Sequence, residues 1–214
     1  NIREAKNLLI AKIAEKFIQN QLEADSNIIS NNTLKIINIE GRYEAVFSDV
    51  FGISINIMGK IDRIDTVNNE IRLIDFKTGK VDSLTLLSNK NFSIDNYDFY
   101  KLNNQQFQLL FYLLLYELSN KATYSINHNI PKAGIIGLKS SKPIFKELLQ
   151  TQSENISAEL FERYKEYMKQ MFNEIFDINK PFERTNTIEN CKYCDYIDIC
   201  KNFTLISLNE NEEN

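Results

Sequence analysis

The segment at residues 60–77 constrains the fold of this chain more than any other. Two strand-like runs, residues 60–67 and 70–76, flank the dipeptide Asn68-Asn69. Both runs are rich in β-branched and aromatic residues, which favour strands. Asn tolerates positive φ angles, so a two-residue turn between antiparallel strands is expected. In that hairpin Val67 pairs with Glu70, and this one pair sets the register of all the others.

The predicted register places two acidic side chains opposite each other. Asp62 falls across from Asp75, and strand alternation puts Lys77 on the same face. Directly opposed side chains have Cβ atoms about 4.5–5.5 Å apart, and like charges there are destabilising. Nearby isoleucines and leucines limit solvent screening, so the two carboxylates must share a proton or bind a cation. Mg²⁺ or Mn²⁺ suits such oxygen ligands. The hairpin alone leaves open the alternative of two solvated carboxylates on an exposed sheet face.

A second acidic residue of the hairpin needs no functional role. In the same register Asp65 falls opposite Arg72 on the other face of the sheet. Opposite charges in directly opposed positions stabilise a strand pair. We therefore expect a plain cross-strand ion pair here rather than a metal ligand.

Hydrophobic spacing predicts the remaining elements. Apolar residues at helical intervals indicate three helices, at residues 3–24, 105–118 and 155–176. Further strand-like runs lie at residues 34–39, 43–47, 53–57 and 133–139. Residues 82–100 are polar with scattered aromatic side chains, which predicts a long loop. The order helix, strands, helix, strand, helix predicts an α/β chain with a largely sequential central sheet.

Composition bounds the setting in which such a chain works. The formal net charge is −4, which argues against indiscriminate binding of nucleic acid but leaves room for a local basic groove. No run of about 18 apolar residues occurs, so no membrane span is expected. The three cysteines are too few and too clustered for a disulfide framework, which favours a reduced, cytoplasmic setting. No signal peptide precedes Asn1, and the start at Asn rather than Met suggests a piece of a longer protein.

Three short motifs occur in a fixed order along the chain. They are Gly-Lys-Ile-Asp-Arg-Ile-Asp at residues 59–65, Ile-Asp-Phe-Lys-Thr-Gly at residues 74–79 and Gln-Leu-Leu-Phe-Tyr at residues 108–112. Together they resemble the motifs of the PD-(D/E)XK nuclease superfamily, in particular its RecB-like and AddB-like exonuclease branch. The resemblance implies a restriction-endonuclease-like core, an α/β fold in which helices flank a mixed central β-sheet. It also implies one nuclease domain at residues 1–208 of a longer helicase/nuclease protein, followed by a disordered acidic tail at residues 209–214.

The resemblance implies a role for each matched residue. Asp62, Asp75 and the backbone carbonyl of Phe76 would bind Mg²⁺ or Mn²⁺, which would activate the phosphodiester as a Lewis acid. Lys77 would position the attacking water and stabilise charge on the phosphate. Gln108 would orient Lys77 or the DNA backbone, and Tyr112, four residues along the same helix face, would support it. Without the motif, Gln108 and Tyr112 would be interpreted as the polar rim of a core helix.

The implied activity is that of a metal-dependent deoxyribonuclease, an exonuclease in DNA end processing and recombination repair. Its substrate would be DNA, and its partner a helicase region or subunit. One expected feature is missing, because the family usually carries a His or acidic residue ahead of the first motif. Glu4, Glu15 and Glu40 are possible substitutes, and a residue upstream of Asn1 is another. His128, the only histidine, is predicted to be a bystander in a polar loop.

The cysteines form a separate motif. Cys191, Cys194 and Cys200 have the spacing C-x2-C-x5-C, which resembles the last three ligands of the iron–sulfur cluster in AddB-like nucleases. The resemblance implies a 4Fe–4S cluster in the full-length protein, with a fourth Cys upstream of this chain. A zinc site and unligated thiols are the alternatives, and unligated thiols are expected in this chain. The competing functions are a catalytically weak DNA-binding module and an iron–sulfur structural module of a repair complex.

Overall fold

A computed structural model describes residues 5–50, 52–86, 98–119, 130–151, 154–181, 183–185, 191 and 194–200. The chain divides into two compact units, Asn1–Asn173 and Glu174–Asn214. The helices are α1 (Ala5–Ile29), α2 (Asn104–Ser119), α3 (Ala158–Phe176) and α4 (Ile197–Cys200), with a 3₁₀ turn at Phe99–Lys101. The strands are β1 (Leu34–Val50), β2 (Ile53–Val67), β3 (Glu70–Lys77), β4 (Lys132–Gly137), β5 (Phe145–Glu147), β6 (Leu149–Thr151) and β7 (Glu154–Asn155).

A five-stranded sheet is the centre of the first unit. Its order is β1-β2-β3-β4-β5, so neighbours in sequence are neighbours in space. The pairing is antiparallel except between β3 and β4, which run parallel. A parallel pair needs a long crossover, and α2 lies in the chain between these two strands. The predicted class, an α/β fold with a mixed, sequential sheet and flanking helices, is confirmed.

The predicted hairpin is also confirmed. Asn68 and Asn69 have φ angles of 52° and 70°, which is the left-handed region that a two-residue hairpin turn requires. Val67 pairs with Glu70, and the ladder continues in this register for five pairs to Arg63 and Ile74. Asn68 is held further by its side chain, whose Oδ1 accepts a hydrogen bond from the backbone N–H of Thr33 at 3.0 Å. The turn is therefore anchored to the start of β1.

Two pairs of predicted strands are each a single long strand. Residues 34–39 and 43–47 both lie in β1, and residues 53–57 and 60–67 both lie in β2. The polar interruption in β1 is accommodated by an irregularity in register between Ile36 and Asn38 and by a positive φ of 56° at Glu40. A bulge bends a strand without ending it, which is why the chain continues across this break.

The predicted ends of the other elements shift by a few residues. The helix expected at residues 155–176 begins at Ala158, because Glu154–Asn155 pairs with β6 instead. The helix expected at residues 105–118 spans Asn104–Ser119, and the strand expected at residues 133–139 spans Lys132–Gly137. Part of the predicted long loop, residues 87–97, lies outside the described residues, as do His128 and the tail at residues 209–214.

The core of the first unit lies between the sheet and helices α2 and α3. α2 is apolar over most of its length and buries Leu109, Leu113 and Leu114 almost completely. α3 contributes a single face, whose fully buried members are Leu160, Phe161, Tyr164 and Met168. Each such side chain stabilises the fold by about 1.5–3 kcal/mol. α2 is thus fixed rigidly against the sheet, which matters because its first turns carry polar motif residues.

α1 forms where a helix was predicted at residues 3–24 but continues to Ile29, and it buries little of its apolar surface. The large apolar side chains exposed on it are Leu8, Leu9, Ile10, Ile13, Ile18, Leu22 and Ile29. Contact with the rest of the first unit is made through polar side chains nearer the end of the helix. Asn20, 6% exposed, donates to the carbonyl of Ser140 at 3.3 Å, and Asp25 binds Arg63 of β2. Among the helices that the structure describes, none is long and apolar enough to cross a membrane.

Candidate active site

The site begins where β2 and β3 separate. Their ladder ends at Arg63 and Ile74, and the next backbone donor on that side of β3, the N–H of Phe76, bonds to Oδ2 of Asp62 at 2.8 Å. A carboxylate therefore takes the place of a strand carbonyl at this fork. The expected opposition of Asp62 and Asp75 lies one step beyond the last ladder pair, so Asp62 is held by the backbone of β3 rather than by strand pairing.

The backbone of Phe76 faces the same fork. The carbonyl of Lys77 accepts from the N–H of Leu138 beyond β4 at 2.9 Å, so it points away from β2. Carbonyls of successive strand residues point to opposite sides, and the Phe76 carbonyl is therefore directed towards β2. The fork thus collects the Asp62 carboxylate and a main-chain oxygen in one place.

Three further predicted residues meet beside this fork. Lys77 Nζ lies 2.9 Å from Oδ2 of Asp75 and donates to Oε1 of Gln108 at 3.0 Å. The amide nitrogen of Gln108 donates to Oδ1 of Asp75 at 2.9 Å. Gln108 therefore bridges the ammonium group and the carboxylate, with its oxygen facing the cation and its nitrogen facing the anion. The amide of Gln108 thus fixes the side chains of Asp75 and Lys77, two residues apart on β3, relative to each other.

Tyr112 completes the network from the next turn of α2. Its hydroxyl accepts from Nε2 of Gln108 at 2.8 Å and donates to Oδ1 of Asp75 at 3.4 Å. The two α2 residues are four apart, which places both on one helix face. The structure therefore brings Gln108 and Tyr112 together with Asp75 and Lys77, as predicted, and hydrogen bonds to these charged side chains replace a rim facing only solvent.

Burial governs the electrostatics of the site. Asp75 is 3% exposed, and this burial raises the pKa of its carboxyl group, against the opposing effect of the hydrogen bond and charge of Lys77. The charge of Asp62 raises the pKa of Asp75 further, so the two carboxylates repel each other as the hairpin predicts. Burial also raises the pKa of the Tyr112 phenol above its ordinary range, helped by the charge of Asp75. Tyr112 therefore remains a hydrogen-bond donor throughout the physiological range.

The donor set suits a hard divalent cation. Oδ2 of Asp75 is buried and accepts no well-formed hydrogen bond from the described residues, although Lys77 Nζ lies 2.9 Å away. Carboxylate and carbonyl oxygens are the ligands that Mg²⁺ and Mn²⁺ prefer. The set is small, because no cluster of three or more His, Cys, Asp or Glu side chains able to hold a metal ion occurs among the described residues. Glu15 is exposed on α1, Glu40 is paired with Lys60, and Glu4 lies outside the described residues.

The opposite face of the hairpin carries a buried group of four charges. Asp65 accepts from Nε and Nη2 of Arg72 at 2.7 and 2.9 Å, so the predicted cross-strand ion pair is confirmed. Arg63 also lies 2.7 Å from Asp65, and it donates to both oxygens of Asp25 at 2.6 and 3.2 Å. The contact between Asp25 and Arg63 was not predicted. The two residues are 38 positions apart, and no short-range pattern links them.

The cysteines belong to the second unit. Cys191 is buried, and the N–H of Cys194 donates to its carbonyl at 3.1 Å. Cys200 ends α4, and its N–H donates to the carbonyl of Tyr196 at 2.8 Å. No group of three or more His, Cys, Asp or Glu side chains able to hold a metal ion includes these cysteines in the described part of the chain.

Comparison with known proteins gives one informative match. The family model of the PD-(D/E)XK nuclease superfamily matches residues 3–201. None of the curated proteins matches the chain. A solved structure, the crystal structure of SSO0001, aligns with a TM-score of 0.40 at 18% identity, covering 86% of this chain and 67% of that one. That likeness is too low to carry an argument about the fold or the function.

Proposed function

This chain belongs to the PD-(D/E)XK nuclease superfamily, and we propose that the site between β3 and α2 hydrolyses phosphodiester bonds in DNA with Mg²⁺ or Mn²⁺. The observation that carries the proposal is the network of Asp75, Lys77 and Gln108. Asp75 is a buried carboxylate with a raised pKa that is held against the ammonium group of Lys77. Perturbed, charge-paired groups of this kind concentrate at functional sites.

Each side chain has a task in this proposal. Asp62 and Asp75 hold the ion, with the Phe76 carbonyl as a third oxygen. The bound ion would supply Lewis-acid polarisation of the phosphoryl group. Lys77 Nζ, fixed by Asp75 and Gln108, hydrogen-bonds the attacking water and offsets the negative charge that builds on the phosphate. Gln108 keeps the ammonium group aimed, because its amide cannot rotate without breaking its bonds to both charged groups.

Tyr112 supports this arrangement from α2, one turn beyond Gln108. Its protonated hydroxyl holds Gln108 and Oδ1 of Asp75, so it helps to fix the orientation of that carboxylate. Orienting partners of this kind change metal affinity or activity by about 10- to 100-fold when they are removed.

The test compares two lysines on the same segment. End-labelled linear DNA, single- and double-stranded, is incubated with the protein in Mg²⁺, Mn²⁺ or EDTA. Lys77→Ala is expected to abolish metal-dependent cleavage. Lys80→Ala is the matched control, because Lys80 is 88% exposed and pairs only loosely with Asp82 at 3.5 Å. Equal cleavage by wild type and Lys77→Ala would refute the assignment of the site.

Within the same proposal, the three motifs favour a RecB- or AddB-like exonuclease that works in DNA end processing and recombination repair in the cytoplasm. A helicase region or subunit would be its partner, and a 4Fe–4S cluster at the three cysteines would belong to the full-length protein. Covalently closed circular DNA separates the modes of attack, since an exonuclease leaves it intact. Iron content of the full-length protein tests the cluster.

A DNA-binding module with weak catalysis is the second candidate. It is favoured by the small number of acidic ligands, two carboxylates among the described residues. This candidate predicts retention of labelled DNA in a gel-shift assay, with at most slow cleavage in Mn²⁺ that Lys77→Ala leaves unchanged. Cleavage lost in Lys77→Ala would exclude it.

A further inference from the structure

The four buried charges behind the site join three elements of the first unit. Asp25 comes from α1, Arg63 and Asp65 from β2, and Arg72 from β3. The side chains of Asp25, Arg63 and Asp65 are 14%, 5% and 0% exposed, so the group is shielded from solvent. Its charges balance, two positive and two negative. Balanced, hydrogen-bonded charges of this kind hold one geometry because any displacement leaves a buried charge unpaired.

Arg63 occupies a special position in this group. It is the last residue of β2 that pairs with β3, and the next residue towards the start of the strand is Asp62. The two terminal nitrogens of its guanidinium donate to the carboxylate of Asp25, and its Nε has no hydrogen-bond partner among the described residues. The bidentate contact with Asp25 and the contact with Asp65 at 2.7 Å together fix where this side chain lies, and the Asp25 contact is the one that links it to α1. Asp25 is itself steadied by Nε2 of Gln21 on the preceding turn of α1, at 3.1 Å.

We infer that Asp25 is a positioning residue for the metal site and acts through Arg63 on the carboxylate of Asp62. The argument is geometric. Beyond Arg63 β2 no longer pairs with β3 and is paired only with β1, at Ile61 and onward, yet Asp62 must stay 2.8 Å from the N–H of Phe76 for its carboxylate to lie in the fork. The clamp from α1 restrains β2 at the last residue before the gap. The inference rests on the proposed function, since it concerns the same metal site.

Loss of the Asp25 charge changes the balance in a definite way. Arg63 and Arg72 would then share the single carboxylate of Asp65. Asp65 alone would then position the guanidinium of Arg63, and the restraint from α1 would be lost. Removing a direct outer partner of a metal ligand costs about 10- to 100-fold in affinity. Asp25 acts one residue further away, so we expect the affinity for a divalent cation to fall by about tenfold at most.

The experiment measures metal binding rather than cleavage alone. Binding of Mn²⁺ to the protein without DNA is followed by the loss of the electron paramagnetic resonance signal of free Mn²⁺. Asp25→Asn is compared with wild type and with Glu117→Gln. Glu117 is the matched control, because its side chain is 17% exposed and joins α2 to α3 through Lys165 at 3.1 Å. Both substitutions remove one partly buried carboxylate charge, but the control does not touch Arg63.

The expected result is weaker Mn²⁺ binding in Asp25→Asn, with unchanged binding in Glu117→Gln at a similar loss of thermal stability. Asp25→Glu keeps the charge and shifts it by one methylene, so it serves if Asp25→Asn does not fold. We expect it to weaken binding by less than Asp25→Asn. Unaltered Mn²⁺ affinity in the Asp25 variants would overturn the positioning role and leave the proposed function standing. Wild-type protein that binds no Mn²⁺ and cleaves no DNA would overturn both.

Discussion

Substitution of Gly59 by Ala tests the packing that brings the two halves of the site together. A methyl group at Gly59 would lie 2.8 Å from Cδ2 of Leu115, closer than carbon atoms can approach. Leu115 is 0% exposed, so its side chain can give way only by displacing neighbouring core side chains. Gly59 lies three residues before Asp62 on β2, and Leu115 lies on the helix that carries Gln108. The clash would therefore push β2 away from α2 close to the site.

The expected cost follows from this contact. Inserting a methyl group into a closely packed core destabilises a protein by about 1–3 kcal/mol. For a chain of this size each kcal/mol lowers Tm by about 2–4 °C, so Gly59→Ala should lower Tm by about 2–12 °C. Urea denaturation followed by circular dichroism gives the free energy of unfolding directly, and the slope of the transition shows whether the native state stays intact.

Gly79 provides the matched control, because it ends the second motif as Gly59 begins the first. No atom lies within 4 Å of a methyl group built there. Gly79→Ala should leave the stability unchanged or raise it by up to about 1 kcal/mol, through the lower entropy of the unfolded chain. Leu115→Ala in the Gly59→Ala background should cost less than the sum of the two single changes, since the pair is in contact. A Gly59→Ala protein as stable as wild type would refute the reasoning.

Two more predictions concern the α2 side of the site. Gln108→Ala removes the bridge between Lys77 and Asp75. We therefore expect cleavage in Mn²⁺ to slow by about 10- to 100-fold, with little change in Tm. Equal cleavage rates would show that the bridge is dispensable. Burial raises the pKa of both Tyr112 and Tyr164. In the unfolded chain these phenols ionise at about pH 10, so the free energy of unfolding should fall as the pH rises above about 10. The fall should be less steep in Tyr112→Phe. A free energy of unfolding that stays constant in alkaline urea titrations would contradict this.

The part of the site on the hairpin could be predicted because it depends on local rules. Turn residues that accept positive φ fix the register, and the register places Asp62 near Asp75 and Asp65 near Arg72. The ladder itself could be followed for five pairs, but the fork beyond it could not be foreseen. A strand separation of this kind depends on a side chain replacing a backbone acceptor, which leaves no periodic signal.

The parts that escaped prediction depend on tertiary contacts. The periodicity of α1 predicted a helix, but whether Leu9 or Ile13 is covered depends on what packs against it. The strand Phe145–Glu147 is too short for its alternation to be seen, although Phe145 lies over the guanidinium of Arg72 at 5.1 Å. The pair of Asp25 and Arg63 spans the first helix and the second strand. A sequence identifies charged residues, while the fold decides which of them meet.

The two-residue turn at Asn68-Asn69 sets the register of the strands that carry the proposed metal site. Five ladder pairs separate the turn from the fork, and each residue of β2 is counted from it. Gly at Asn69 accepts the positive φ of the turn, whereas Gly at Asn68 also loses the side-chain hydrogen bonds to Thr33 and Asn32. An insertion or deletion of one residue would instead shift β2 along β3 and reverse the faces of its side chains. Asp62 would then leave the N–H of Phe76, and the buried Asp65 would turn towards the opposite face. The length of this turn is therefore under stricter constraint than its composition, although neither residue touches the site.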